Sequence, residues 1–131
     1  YNSLKFLKGE FMKEFLYIDK SYIYAIVRKD LSGPAICVQT AHATIEVARA
    51  NLIDPKSDHP SLIVCGVKNE KELISFSQEL LSKNIRFKSF YEADLNNELT
   101  AIATEPVLQE NRKHFKKLPL INQKDLLGGA K

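Results

Sequence analysis

The stretch Tyr22-Ile23-Tyr24-Ala25-Ile26-Val27 decides the fold of this chain. Its residues are apolar, aromatic or β-branched with little interruption, which is the pattern of a strand covered on both faces. The polar cluster Arg28-Lys29-Asp30 and the turn Ser32-Gly33-Pro34 end the strand. Proline suits the first turn of a helix, so we predict a helix from about residue 35 to 52.

The rest of the chain continues this alternation. Further strands are predicted at 61–67, 85–91 and 99–104, and further helices at 69–84 and 108–118. Strand-helix-strand units imply parallel neighbours, and a polar turn between the last two strands implies one antiparallel step. The predicted fold class is α/β, a three-layer sandwich with a mixed, roughly four-stranded sheet between helices.

Length and composition fit one domain: 131 residues, 44% hydrophobic and 27% charged. We assign residues 1–20 to an N-terminal extension of unknown role, 21–119 to the domain and 120–131 to a tail. The net charge of +3 permits RNA binding without requiring it. No apolar run reaches the roughly 18 residues of a membrane span, so no membrane association is expected.

Several classes of site lack their signatures. The chain has no glycine-rich phosphate loop, no metal-binding spacing of its histidines and no GxSxG serine motif. We therefore expect no metal and no cofactor. Cys37 and Cys65 cannot build a disulfide framework, which favours a reducing, cytoplasmic location.

The first predicted helix carries two stripes. The apolar stripe is predicted to be its buried face and consists of Val38, Ala41, Ile45, Ala48 and Leu52. A polar row beside it consists of Gln39, His42, Glu46 and Arg49. This row is either a solvated face with a Glu46–Arg49 pair, or a hydrogen-bonding row near a helix start that binds a phosphate or an oxyanion.

Four motifs stand in order on the predicted elements. They are Arg28-Lys29-Asp30-Leu31 after the first strand, Val38-Gln39-Thr40-Ala41-His42-Ala43 in the first helix, 62–67 with the capped helix 69–81, and 99–103 before Glu105-Pro106. Together they resemble the peptidyl-tRNA hydrolase type II family, the archaeal and eukaryotic kind. The resemblance covers about residues 22–118.

The resemblance implies a mixed sheet between helices, often in a dimer, that hydrolyses the ester between a peptide and the terminal ribose of tRNA. Such chemistry needs an activated water, a donor for the oxyanion and basic side chains for the tRNA backbone. The implied partner is tRNA or peptidyl-tRNA, with a homodimer as one expected assembly.

Candidate site residues follow from the matched motifs and the basic segments. The candidate catalytic residues are Glu92, Thr100, His42 and Lys29. The candidate substrate-binding residues are Arg28, Asp30, Gln39, Arg86, Lys88 and Lys113. Alternatives stay open, because His42 also fits a buried, hydrogen-bonded histidine and the basic residues also fit a solvated surface.

The chain departs from the family pattern at the expected catalytic lysine. Aligned on Gln39, Ala35 stands where that lysine belongs, and Glu92-Ala93-Asp94 replaces the family's Asp-Ala-Gly. Lys29 or the helix N-terminus are candidates to replace the lysine, although a helix end contributes about 0.3–1 kcal/mol and a dedicated oxyanion donor about 2.7–4 kcal/mol. Two main functions therefore remain: a working hydrolase, or a catalytically impaired member that binds RNA or protein. A purely structural role as a dimeric scaffold also stays open.

Overall fold

The computed structural model of the protein describes residues 21–128, so the predicted extension 1–20 lies outside the described residues. The strands are β1 (Tyr22–Arg28), β2 (Ser61–Val67), β3 (Phe87–Glu92) and β4 (Glu98–Thr104). The α-helices are α1 (Gly33–Arg49), α2 (Glu70–Ser82) and α3 (Gln123–Leu127). Two 3-10 segments, Ala93–Leu95 and Gln109–Phe115, complete the described elements.

The four strands form one mixed sheet in the order β2-β1-β4-β3. β1 and β2 are parallel, and β4 is antiparallel to both of its neighbours. Helices lie on both faces, so the predicted α/β fold with a mixed four-stranded sheet is confirmed. We call the end of the sheet formed by Arg28, Val67, Glu92 and Glu98 the upper end, and the opposite end the lower end.

Each face of the sheet has its own hydrophobic core. On the α2 side, Ile26 and Ile102 pack with Leu73, Phe76 and Leu80 of α2. On the α1 side the sheet contributes Ala25, Val27, Ala101 and Ala103, against which α1 packs Ile36, Ala43 and Val47. The small strand residues on this side let α1 lie close to β4.

The predicted buried stripe of α1 is wrong for four of its five residues; Leu52, which follows the helix, packs against the core. Val38 and Ile45 are 50% and 51% exposed, and Ala41 and Ala48 are also exposed. The side that faces the sheet instead includes two polar residues, Gln39 and Thr40. Burial of these polar groups is tolerated because their hydrogen bonds are made inside the protein; the Thr40 hydroxyl donates to the Ile36 carbonyl over 2.7 Å.

The C-terminal part is more ordered than the sequence predicts. The predicted last helix is the 3-10 segment Gln109–Phe115, held by the ring of Phe115, which stacks on Tyr24 with centroids 3.9 Å apart. The chain then follows the edge of β2, where Gly66 N–H donates to the Pro119 carbonyl and Ile121 N–H donates to the Val64 carbonyl. Part of the segment assigned to a tail therefore belongs to the fold and ends in α3.

Other boundaries agree closely with the sequence patterns. The Asn69 side chain caps α2 by accepting from the Glu72 N–H, as its position predicts. β3 begins at Phe87, two residues later than predicted. Among residues 21–128, no helix has the length and apolar character that crossing a membrane requires.

Candidate active site

A row of three hydrogen-bonded side chains lies on the α1 side near the upper end of the sheet. The Thr100 hydroxyl donates to Gln39 Oε1 over 2.6 Å, and Gln39 Nε2 donates to Glu92 Oε1 over 2.8 Å. Thr100 is fully buried, Gln39 is 4% exposed and Glu92 is half-buried. The Thr100–Gln39–Glu92 row therefore runs from the interior to a carboxylate that meets solvent.

A β-bulge turns Thr100 toward this row. Phe90 pairs with Ala101, but the next residue, Tyr91, pairs with Leu99, so Thr100 is an extra residue in β4. In a regular strand, Thr100 would face away from Ala101 and toward α2. The bulge reorients its side chain toward α1, as bulges next to active sites often do.

The orientation of the Gln39 amide group follows from the chemistry of its two neighbours, Glu92 and Thr100. An ionised carboxylate only accepts hydrogen bonds, so the amide N–H group faces Glu92 and the amide oxygen faces the Thr100 hydroxyl. Only Oε1 of Glu92 is engaged by side chains of residues 21–128. Its second oxygen, Oε2, makes no hydrogen bond to these side chains.

His42 lies beside the row and contacts it through an aromatic neighbour. Its ring stacks on Phe90 with centroids 4.3 Å apart and planes 6° apart. Phe90 precedes Glu92 by two residues and so shares its side of β3. Within the described residues the His42 ring makes no hydrogen bond, so the structure places it as a half-buried wall of the site.

The polar row of α1 divides into an inner and an outer part. Gln39 and His42 turn toward the sheet, as just described. Glu46 and Arg49 form a surface ion pair of 3.1 Å, as the solvated interpretation predicts. Such an exposed pair contributes little to stability.

Arg28 is the cation buried at the upper end of the sheet, with 8% exposure. Its guanidinium binds both oxygens of Asp30 over 2.9 Å, Glu98 over 2.7 Å and the Leu99 carbonyl over 3.2 Å. The hydrogen bonds that Arg28 donates to Asp30 raise its pKa well above its ordinary value, and the hydrogen bond to Glu98 adds to the effect. Arg28 and Asp30, both predicted to bind substrate, thus bind each other.

Lys29 does not join the Thr100–Gln39–Glu92 row. Its ammonium lies 3.5 Å from Asp125 Oδ1 of α3, and its stem covers Gly66, where a Cβ would approach the Lys29 side chain to 2.6 Å. Lys29 follows β1, which is separated from the β3 strand of Glu92 by β4. Two strand spacings amount to roughly 10 Å.

The basic candidates also lie apart from the row. Arg86 precedes β3 at the lower end and pairs with Glu105 over 2.9 Å. It is six residues from Glu92, which corresponds to roughly 20 Å along a strand. Lys88 is exposed on β3, and Lys113 is exposed in the 3-10 segment on the α2 side. The candidate substrate-binding residues are therefore spread over two ends of the domain.

The family model described as peptidyl-tRNA hydrolase PTH2 matches residues 21–121. The chain belongs to this family. The match confirms the resemblance carried by the four motifs and includes β1 to β4, α1 and α2. No curated protein matches the chain.

The family match stops short of α3, whose residues are 123–127. Asp125 in this helix, which no sequence motif indicated, is buried and pairs with Lys29. Phe90 and the bulge at Thr100 were also missed. A bulge leaves no local sequence signal, and Phe90 sits between Lys88 and Glu92 in what reads as a polar strand face.

A cavity of about 700 Å³ opens at the upper end on the α2 side, away from the Thr100–Gln39–Glu92 row. Its charged lining residues balance in number: Lys29, Lys68 and Lys117 against Asp30, Glu72 and Glu79. The cavity therefore has no clear preference for an anion or a cation. In the described part of the chain, no three His, Cys, Asp or Glu residues gather as metal ligands.

Proposed function

We propose that this chain hydrolyses the ester between a peptide and the terminal ribose of tRNA, and that Glu92 activates the attacking water. The observation that carries this proposal is the Thr100–Gln39–Glu92 row, which fixes one oxygen of a half-buried carboxylate and leaves the other to water. Membership of the peptidyl-tRNA hydrolase family supports the substrate class.

In the proposed reaction, Glu92 Oε2 accepts a proton while the water oxygen bonds to the ester carbonyl carbon. The carbonyl oxygen becomes an oxyanion in the tetrahedral intermediate. The intermediate collapses, the bond from the acyl carbon to the ribose oxygen breaks, and that oxygen receives the proton from Glu92. General base catalysis of this kind typically accelerates a reaction by about 10²–10⁴-fold.

Thr100 and Gln39 act in this scheme as positioning residues. Their burial supports an indirect role, in which they hold the Glu92 carboxylate in one orientation. His42 and Phe90 form the wall beside it. Ala35 stands at the family's lysine position. Lys29 is our candidate to supply the missing positive charge once its ammonium leaves Asp125.

A second function is favoured by the charges at the upper end. Arg28 and Lys29 are both paired with carboxylates, so neither offers a free cation to an oxyanion beside Glu92. This arrangement supports the alternative that the chain is a catalytically impaired family member that binds RNA or protein.

One experiment separates the two functions. Purified full-length chain is incubated with N-acetylated aminoacyl-tRNA, and free acylated amino acid is measured alongside tRNA binding at about 50 and 200 mM salt. Release faster than the uncatalysed rate supports the hydrolase. Salt-dependent binding without release supports the binding module. If the chain shows neither release nor salt-dependent binding, both proposals for RNA are refuted.

We further propose Arg86, Lys88 and Lys113 as contacts to the tRNA backbone, supported by their exposure or surface pairing.

A homodimer is also proposed, with the outer face of α1 as the contact. That face presents Val38 and Ile45 without a charge between them, so two copies can meet without like-charge repulsion. Sedimentation equilibrium of wild type and Ile45→Asp tests it, with a monomeric wild type as the refuting result.

A cytoplasmic location completes the proposed setting. Its support is the state of the two cysteines, since Cys37 is exposed, Cys65 is buried and both are free thiols. Free exposed thiols persist in reducing compartments.

A further inference from the structure

The C-terminal segment 119–127 forms what we call the clasp. It begins with the two backbone hydrogen bonds to the edge of β2, from Gly66 N–H to the Pro119 carbonyl and from Ile121 N–H to the Val64 carbonyl. It ends in α3, which lies beyond the residues matched by the family model. The clasp is therefore largely an addition to the family fold.

Asp125 attaches the clasp to the upper end of the sheet. It is 6% exposed and is the buried residue of α3. One oxygen accepts from the Asn122 N–H, while the other lies 3.5 Å from the Lys29 ammonium. A buried carboxylate is costly unless a counter-charge and hydrogen bonds accompany it. Lys29 supplies that charge, and the absent side chain of Gly66 makes room for its stem.

The clasp also touches the start of α1. A Cβ placed on Gly33 would lie 1.8 Å from the Leu126 carbonyl oxygen, so this carbonyl is pressed against the first residue of the helix. The first turn of a helix carries a partial positive charge. The clasp thus covers both Lys29 and the positive end of α1, the two candidate replacements for the missing family lysine.

Ile121 packs the first part of the clasp against the core on the α1 side, but the α3 end of the clasp has few apolar contacts. Leu126 and Leu127 are 39% and 73% exposed, and α3 is a five-residue helix, too short to persist alone. A segment with few buried apolar contacts opens at a free energy well below that of global unfolding. The attachment of α3 therefore depends chiefly on the Lys29–Asp125 pair.

We propose that the clasp is an autoinhibitory contact, which holds the Lys29 ammonium on Asp125 and covers the start of α1. When the clasp opens, Lys29 and the first turn of α1 become available to an anionic group, namely the oxyanion of the ester intermediate or a phosphate near the tRNA 3′ end. The inhibitory consequence rests on the hydrolase function proposed above.

The test begins with Asp125→Asn in the full chain. Asparagine keeps the capping oxygen for Asn122 but removes the charge that holds Lys29. The matched control is Asp94→Asn, which removes one exposed carboxylate elsewhere at the upper end. Labelling of Lys29 by an amine-reactive reagent, read by peptide mass spectrometry, should rise roughly tenfold in Asp125→Asn, the effect of losing one charged contact. It should stay unchanged in Asp94→Asn.

Hydrolysis of N-acetylated aminoacyl-tRNA is measured on the same proteins. Asp125→Asn should be faster than wild type, and the gain should vanish in the double variant with Lys29→Ala. Gly33→Ala opens the clasp by a steric route, so it should raise labelling and hydrolysis without changing any charge. Circular dichroism confirms that each variant is folded.

The possible failures differ. Equal labelling of Lys29 in wild type, Asp125→Asn and Gly33→Ala would overturn the clasp. A wild type that hydrolyses while released variants are no faster, or a gain that survives Lys29→Ala, would overturn autoinhibition alone. Raised labelling with no hydrolysis by any variant would overturn autoinhibition and the proposed function together.

Discussion

Gln39 joins Glu92 to the interior of the protein: its amide nitrogen donates to Glu92 Oε1 over 2.8 Å while its amide oxygen accepts from Thr100. The contact connects residues 53 positions apart and bridges α1 to β3. Because an ionised carboxylate only accepts hydrogen bonds, it sets the direction of the amide, and the Gln39 N–H group is its donor. The orientation of the Glu92 carboxylate is therefore coupled to a buried residue that solvent does not reach.

Replacement of Glu92 by Gln should abolish most hydrolysis. The amide keeps the shape of the side chain but accepts no proton, so kcat should fall by about 10²–10⁴-fold. The half-buried position implies little change in the free energy of unfolding. Steady-state release from N-acetylated aminoacyl-tRNA measures the effect, with Asp94→Asn as the control. A fully active Glu92→Gln would exclude Glu92 as the base.

Two substitutions of Thr100 should distinguish its contribution to the stability of the fold from its contribution to the orientation of Glu92. Thr100→Val leaves the buried Gln39 oxygen without its donor, which should cost about 1–3 kcal/mol of unfolding free energy. Thr100→Ser keeps the hydroxyl and loses one methyl group, which costs about 1 kcal/mol. Urea denaturation measures both. If the row orients Glu92, Thr100→Val should also lower kcat far more than Thr100→Ser does, and equal kcat values would contradict this role.

The four strands could be predicted from the sequence because each carries its own local pattern. The run at residues 22–27 is covered on both faces and so reads as apolar throughout, and the run Ser61–Val67 reads the same way although Leu62 in it is exposed. The starts of α1 and α2 are predicted by the turn Ser32-Gly33-Pro34 and by the capping residue Asn69. Local chemistry alone determines these boundaries.

The orientation of α1 could not be predicted, because either side of the helix could form its buried face. Val38 and Ile45 are more hydrophobic than Gln39 and Thr40, yet the latter pair is buried. The deciding partners are Thr100 and Glu92, which stand more than fifty residues further along the chain. For the same reason the sequence could name candidate site residues but not the contacts between them. The bulge at Thr100 and the Lys29–Asp125 pair had no sequence signal.

The two thiols should differ in reactivity and in their effect on stability. Burial raises the pKa of Cys65 from 9.0 to about 11, while Cys37 is exposed. At pH 8, Ellman's reagent should titrate Cys37 in the native protein and Cys65 only after unfolding. Fast native reaction of both thiols would contradict the burial of Cys65.

The raised pKa of Cys65 also predicts a pH dependence. A thiol with a higher pKa in the folded state favours folding while it is protonated. Its contribution is therefore complete below pH 9 and is lost as the pH rises through 11. Melting temperatures of wild type and Cys65→Ala should converge over this range. A constant difference between the two proteins would contradict the prediction.

Lys88 and Lys113 should contribute to tRNA affinity through phosphate contacts. Each lysine that binds a phosphate releases about one counterion, so Lys88→Ala and Lys113→Ala should each reduce the slope of log K against log salt by about 1. Lys71→Ala on α2 removes an equal charge from another exposed position and serves as the matched control. Fluorescence anisotropy between about 50 and 200 mM salt gives the slopes. An identical slope for all three variants would mean that these lysines act only through net charge, because a direct contact changes the number of released ions while a distant charge does not.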